Sequence, residues 1–225
     1  MTGTWINAAA VIAGSTLGLL IHKKLPQRFT RIVFQAIGLF TLFLGISMAL
    51  RTGHELFLIL SMVIGGLIGE AVHLEDRLNS LSDVLAARLK TDNLQFTQGL
   101  ITAFLLFCIG SLTLLGAIEE GLGHPPRLLL TKSLLDFFSS IALSAAFGIG
   151  VMFSVIPLIL FQGGITLLAA LFGEVLSEQL ITELTAVGGL MILALGINLL
   201  ELKRIKVSNF LPGLIIIVIL VFIWG

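Results

Sequence analysis

Lys132, Asp136, Ser140 and Ser144 recur every four residues in the stretch LLLTKSLLDFFSSIALSAAFGIG, residues 128–150, with Ser139 beside them. On a helix that spacing stacks the side chains along one face. A carboxylate there can accept a proton or a cation, an ammonium can attract an anion, and the hydroxyls can donate or accept. Asp136 lies about eight residues into the segment, roughly 12 Å at the helical rise. An ionisable side chain at such depth in hydrocarbon is expensive and belongs in a bundle interior or beside water. Two readings are open. In one, Lys132 and Asp136 line a path for a solute or a proton. In the other they neutralise each other, with Lys132 snorkelling outward and the serines acting as small packing residues.

Amides supply a second set of candidates. Asn7, Gln162, Asn198 and Asn209 lie in or beside apolar segments, as do Gln35 and Ser47. An amide donates and accepts at once, which suits a carboxylate, an amino acid or an ion's displaced water. The competing use is an interhelical hydrogen bond worth about 1 kcal/mol or less.

The elements that must hold these residues are set by composition. Of 225 residues 57% are hydrophobic and 12% charged, and the mean hydropathy is +1.10. A soluble chain carries about twice that charged fraction, so lipid is the expected surroundings and the bilayer the first partner. Basic and acidic residues number 13 each, which gives no reason to expect a nucleic-acid partner. Cys108 is the single cysteine, excluding an internal disulfide and a thiolate metal cage. The first basic residue is Lys23, so the first apolar segment reads as a span rather than a cleaved signal.

Eight apolar segments are long enough to cross roughly 30 Å of hydrocarbon: 4–21, 32–50, 56–73, 98–117, 128–150, 154–173, 184–200 and 208–225. The fifth and sixth form one apolar run, divided where Gly148, Gly150 and Pro157 weaken the helix; a re-entrant hairpin over 128–173 is the alternative. With the N-terminus outside, Lys23, Lys24, Arg28, Arg31, Arg77, Arg88, Lys90, Lys203, Arg204 and Lys206 fall inside, and Arg51 and Arg127 outside. This matches the positive-inside bias of short loops. Residues 74–90 carry Leu74, Leu78, Leu81, Leu85 and Leu89 on one helical face with charges opposite, a pattern for an amphipathic helix on the cytoplasmic surface, within a 74–97 connection.

The segments repeat. GLFTLFLGISMAL (38–50) shares six of thirteen positions with GLMILALGINLLE (189–201). INAAAVIAGSTLGLL (6–20) aligns with FQGGITLLAALFGEV (161–175), pairing Asn7 with Gln162, and SMVIGGLI (61–68) aligns with NFLPGLII (209–216). The expected architecture is therefore a single all-α membrane domain over 1–225. Three spans in 4–73 and three in 154–225 form an inverted repeat around central spans in 98–150. Inverted repeats are common in secondary transporters, with sites near the midplane, and small channels share the symmetry.

Other chemistry lacks parts. There is no His-Glu-x-x-His, Gly-x-Ser-x-Gly or Walker loop, and one aspartate within a span leaves an aspartyl intramembrane protease without its partner. Glu119 and Glu120 sit in a Gly- and Pro-rich turn expected to be solvated. Glu70 and His73 lie three apart at the end of a span, too few ligands for a divalent ion. The expectation is no enzyme, no cofactor and no metal. Gly14-xxx-Gly18 and Gly65-xxx-Gly69 would serve a homo-oligomer or contacts within one chain equally.

The motifs GTWINAAAVIAGSTLGLL, IGGLIGE, GAIEEGL, KSLLDFFSS, GIGVMFSVIPLILFQGG, AVGGLMILALGINLL and VSNFLPGL together resemble the bacterial YdfK/YqgA-like membrane proteins, a domain of unknown function. The resemblance runs along nearly the whole chain. It implies a bacterial inner-membrane protein, with Lys132 and Asp136 in the family's Lys-Ser-x-x-Asp stretch and Asn7, Gln162 and Asn209 in its other polar motifs. It brings no substrate. From the residues, the expected function is secondary or facilitated transport of a small polar or anionic solute or ion. Lys132, Asp136, Ser139, Ser140, Asn7, Gln162, Asn198 and Asn209 are the expected contacts. A channel of the same symmetry and a non-transporting membrane scaffold are the alternatives.

Overall fold

The computed structural model describes residues 1–22, 27–78, 80, 93–108, 111–172 and 177–224, and among these every regular element is helical. The order is α1 (Thr2–His22), α2 (Gln27–Ala49), α3 (Glu55–Ala71), α4 (Asn93–Cys108), α5 (Ser111–Gly121), α6 (Arg127–Phe147), α7 (Gly150–Phe153), α8 (Val155–Phe172), α9 (Glu178–Leu199), a 3-10 turn (Val207–Phe210) and α10 (Gly213–Trp224). The amphipathic pattern of 74–90 lies largely outside the described residues.

Among the described residues five stretches are long and apolar enough to cross a membrane: Thr2–Ile21, Arg127–Phe147, Gly150–Leu171, Glu178–Leu199 and Val207–Trp224. A sixth follows if α4 and α5, bent by 59° from each other, count as one broken span. The distribution of polarity is the reverse of a water-soluble protein's. Leu39, Phe43, Leu67, Leu160, Leu171 and Trp224 are each more than 60% exposed, while Asn7, Thr41, Ser61, Thr102, Ser140 and Gln162 are fully buried. Side chains of the first kind face lipid, and backbone polarity is consumed inside the helices.

The run between α6 and α8 divides where the sequence suggests. Gly148 takes φ +75°, ψ −149°, a conformation essentially closed to other residues, and ends α6. The single turn α7 follows, and Pro157 then stands in the first turn of α8, where a missing N–H removes no helical bond. At the α4–α5 break, Thr113 Oγ1 donates to the carbonyl oxygen of Phe107 at 2.9 Å, pairing a group near the end of α4.

Two compact units divide the chain, residues 1–30 with 89–176 and residues 31–88 with 177–225. In the first, α1 and α6 pack along most of their lengths. A Cβ on Gly14 would strike the carbonyl oxygen of Phe137, and one on Gly18 that of Ile141. Four residues along α1 correspond to four along α6, so the two helices run parallel at glycine-limited separation. In the second unit, Gly38 lies against Leu200, Gly45 against Leu193, Gly189 against Ala49 and Gly196 against Leu42. Numbers rise on α2 as they fall on α9, so these helices are antiparallel. Likewise α3 meets the α10 region through Gly65 on Gly213 and Gly69 on Asn209.

Gly14→Ala places a methyl group against backbone, which cannot yield as a side chain can. It is expected to cost about 1–3 kcal/mol and lower the melting temperature of the detergent-purified protein. Gly164→Ala, whose Cβ would meet no atom within 4 Å, is the matched control and should melt no lower than the parent. Equal melting temperatures for all three proteins would contradict the close α1–α6 packing.

Candidate functional site

α6 has nothing unusual at its surface; its singularity is inside. Leu129, Lys132, Ser133, Asp136, Ser140, Leu143 and Ser144 are buried, while Leu130, Leu134, Leu135 and Phe138 are exposed. The three-and-four spacing of the polar residues therefore turns them toward neighbouring helices and the leucines outward. Lys132 and Asp136 are 5% and 6% exposed, and the Lys132 Nζ pairs with Asp136 Oδ2 one turn along the same helix. Lys132 does not snorkel: its ammonium stays in the interior, 5.8 Å from the centre of the Phe107 ring contributed by α4.

α1 brings Asn7 near this pair. Asn7 Nδ2 donates to Gln162 Oε1 at 3.1 Å, and Gln162 Nε2 donates to Thr4 Oγ1 at 3.1 Å. Hydrogen bonds thus join Thr4, Gln162 and Asn7 of α1 and α8, beside the Lys132–Asp136 pair of α6. Asn7, Gln162 and Ser140 are fully buried. Not every group is satisfied: Asn7 Oδ1 and the hydroxyls of Ser15, Ser140 and Ser144 have no partner among the described residues.

Of the residues read from sequence, Lys132, Asp136, Ser140, Asn7 and Gln162 belong to this first unit's interior. Ser139 is exposed, because one residue's rotation carries it off the face that Ser140 holds. Asn198 and Asn209 belong to the second unit and have partners of their own. Asn198 donates to the carbonyl of Ile205 and accepts its N–H, both at 2.7 Å, fastening the connection after α9. Asn209 Nδ2 donates to Glu70 Oε2 at 2.6 Å and its Oδ1 accepts the N–H of Glu75 at 2.8 Å. Lys206 Nζ joins Glu70 at 2.8 and 3.0 Å, beside an open cleft of about 310 Å³ lined by Met62, Gly66, Leu67 and Phe210 among others.

The sequence reading missed three buried groups. Glu120, expected in a solvated turn, has a side chain only 6% exposed; its Oε1 accepts the Gly3 N–H at 2.7 Å and lies 3.2 Å from the Met1 amino group. A carboxylate at a helix N-terminus is favourably placed against the exposed N–H groups. Glu183, 1% exposed, accepts from Thr52 Oγ1 at 2.5 Å and from the Gly53 N–H at 2.8 Å, tying the α2–α3 turn to α9. Ser133 is buried and donates to the carbonyl of Leu129 at 2.7 Å. Its spacing from Asp136 was a legible signal; the partners of Glu120 and Glu183 lie more than a hundred residues away and left none. Among the described residues no three His, Cys, Asp or Glu side chains gather as a metal site.

Buried charge, exposed leucine and glycine-mediated helix contacts define a helical membrane protein. The chain belongs to the family described as "Protein of unknown function (DUF554)", which matches residues 2–222. It is 36% identical over 227 residues to "Uncharacterized membrane protein YdfK" of Bacillus subtilis (strain 168), covering 99% of this chain and 96% of that one. It is 32% identical over 219 residues to "Uncharacterized protein YqgA" of Escherichia coli (strain K12), covering 95% and 93%. No solved structure matches it.

Breaking the central pair should cost more than deleting it. Asp136→Asn or Lys132→Met alone leaves one uncompensated buried charge and is expected to destabilise by about 3–5 kcal/mol. Lys132→Met combined with Asp136→Asn should cost less than either single change. Unfolding of the four proteins in mixed micelles measures the cycle, and additive costs would show that the two side chains are not coupled. At Glu75, outside the apolar segments, partial burial pushes the carboxyl above its usual range. Its contribution to stability is then full below the ordinary carboxylate pKa and lost as pH rises through the raised one. Glu75→Gln should flatten that decline in a pH series of melting temperatures; an unchanged slope would reject the assignment.

Proposed function

We propose that the protein is a secondary or facilitated transporter of a small polar or anionic solute, and not an enzyme. Eight crossings with the N-terminus outside, in a bacterial cytoplasmic membrane, accommodate the basic-residue bias of the loops. The inverted repeat is supported by the helix contacts of the second unit. Adding 151 to a residue of 38–50 gives its counterpart in 189–201. Under that exchange the contact of Gly38 with Leu200 becomes that of Gly189 with Ala49, and the contact of Gly45 with Leu193 becomes that of Gly196 with Leu42. In the first unit the aligned residues Asn7 and Gln162 bond to each other.

The observation that carries the reading is the buried Lys132–Asp136 pair, extended by those two amides. An intramembrane ionisable group that faces other helices is the usual mark of a solute or ion path. Asp136 is the coupling or gating carboxylate and Lys132 its partner and the charge that attracts an anion. Asn7, Gln162 and Ser140 supply hydrogen bonds.

One observation favours the non-transporting scaffold: Lys132 and Asp136 neutralise each other on a single helix, so the pair needs no ligand to be closed. Ligand-induced thermal stabilisation separates the two readings. Wild type and Asp136→Asn are screened against small carboxylates, amino acids and neutral polar solutes. A solute that raises the melting temperature of the wild type and not of a folded Asp136→Asn supports transport through this site. A screen without response, with Asp136→Asn simply melting lower, supports the scaffold.

A further inference from the structure

The open cleft beside Lys206 and Glu70 belongs entirely to the second unit. Its α3 wall is a stripe of Met62, Val63, Gly66, Leu67 and Glu70, the three- and four-residue spacing of one helical face. Phe210 supplies the floor: a Cβ on Gly66 would stand 2.8 Å from its ring, so glycine is what lets the aromatic lie there. From Glu70 back to Met62 the stripe runs two turns, about 12 Å at the helical rise. One end is charged and the rest is apolar, with Val63 and Leu67 more than half exposed. The charged end also adjoins the connection between the Glu178–Leu199 and Val207–Trp224 crossings, where Lys203, Arg204 and Lys206 are all exposed. Such a connection stands at the water boundary, so the stripe leads from headgroup level into hydrocarbon. A cleft of about 310 Å³ is at the lower end of the size range of small-ligand pockets.

The polar end presents both signs at once. Lys206 Nζ donates to Glu70 Oε1 at 2.8 Å and Oε2 at 3.0 Å, and Asn209 Nδ2 donates to Oε2 at 2.6 Å. Neither partner is exhausted. An ammonium has three N–H donors and a carboxylate about four lone-pair sites, so each keeps one in reserve. The Lys206 and Glu70 side chains are 47% and 56% exposed, so a ligand can reach them. Their surroundings carry no surplus charge. His73 aside, residues 70–77 and 201–206 hold Glu70, Glu75, Asp76 and Glu201 against Arg77, Lys203, Arg204 and Lys206. Four acidic against four basic groups give a simple anion no net attraction. The complementary ligand carries one negative and one positive group close together, joined to an apolar tail.

We propose that this cleft binds one phospholipid of the phosphatidylethanolamine class. Its phosphate accepts a hydrogen bond from Lys206 Nζ, its primary ammonium donates to Glu70, and an acyl chain lies along Val63 and Leu67 over Phe210. A two-carbon link separates the phosphate oxygen from the ammonium, so both reach a lysine and a glutamate already in contact. A trimethylated ammonium has no N–H to give Glu70, and a glycerol headgroup has no cation. The bound lipid bridges α3 and the connection after α9, as Glu70, Lys206 and Asn209 already do. It is independent of the transport reading, which rests on other residues.

Native mass spectrometry of the purified full chain tests this. The protein, stripped of lipid in detergent, is offered equimolar phosphatidylethanolamine, phosphatidylcholine and phosphatidylglycerol with identical acyl chains. The ethanolamine lipid should be retained about tenfold over the choline lipid, the factor for one charge-assisted hydrogen bond. Glu70→Gln should erase that preference, and Lys206→Met should weaken both lipids alike. Because Glu70 also holds Asn209, Val63→Trp serves as the variant that leaves the polar network whole and fills the apolar end. It should lower retention of the ethanolamine lipid about tenfold. Melting temperatures in lipid-free detergent separate loss of the site from loss of the fold. Retention of no lipid, equal retention of the ethanolamine and choline lipids, preference for the glycerol lipid, or retention unchanged in Val63→Trp overturns the proposal.

Discussion

Hydrocarbon offers no hydrogen bonds, and most of this structure follows from that. Backbone groups must pair within helices, and side chains that cannot pair must be apolar or hidden. The exposed surface is accordingly leucine, isoleucine and phenylalanine, and the polar residues are withdrawn into the spaces between helices. With apolar side chains gaining little by leaving lipid, helix association depends on close packing and on polar contacts. Glycine supplies the first: Gly14 and Gly18 admit α6 to within backbone contact of α1, and Gly45 and Gly189 do the same for α2 and α9. The amides and carboxylates supply the second.

These two devices depend on each other. The approach permitted by Gly14 and Gly18 places Asn7, on the same helix, beside Asp136. Were α1 held farther off by larger side chains, the carboxylate would lose a polar neighbour in a setting where polar groups are expensive to strand. Small residues thus set the separation at which these polar groups can meet. The second unit follows the same logic with different residues: Gly69 lets Asn209 approach α3, where its amide reaches Glu70.

How much of this could be read from sequence depended on the range of the interaction. The all-helical character, the break at Gly148 and the burial of Asp136 are local consequences of composition and spacing, and they were legible; the 59° bend inside the expected 98–117 span was not, and the sequence left open whether Lys132 stays inside or snorkels. Asn7 and Gln162 were paired in the sequence alignment, but equivalence is not contact, and their direct bond was not read. Ser139 was misplaced since adjacency in sequence is not adjacency on a helical face. Asn198 and Asn209 look like the other amides in sequence, yet Asn198 fastens the connection after its own helix and Asn209 ties the 3-10 turn to Glu70 and Glu75, 139 and 134 residues away. Glu120 and Glu183 were out of reach because of range as well. Their partners Gly3 and Thr52 lie 117 and 131 residues away, and nothing in a helical glutamate announces a distant N–H or hydroxyl.

The arrangement around α6 contains more polarity than a structural tie requires. Two opposite charges one turn apart already neutralise each other, and such a pair confers little stability over well-packed apolar residues. Asn7 Oδ1, Ser15 Oγ, Ser140 Oγ and Ser144 Oγ add four buried atoms without partners among the described residues, each of which carries a desolvation penalty of about 1–3 kcal/mol when left unpaired. Alanine at the three serines would fill nearly the same space without that penalty. Glycine and alanine elsewhere in the chain do this kind of packing, so the oxygens are not needed to let the helices approach. The transport reading proposed above gives these oxygens a use that packing alone does not.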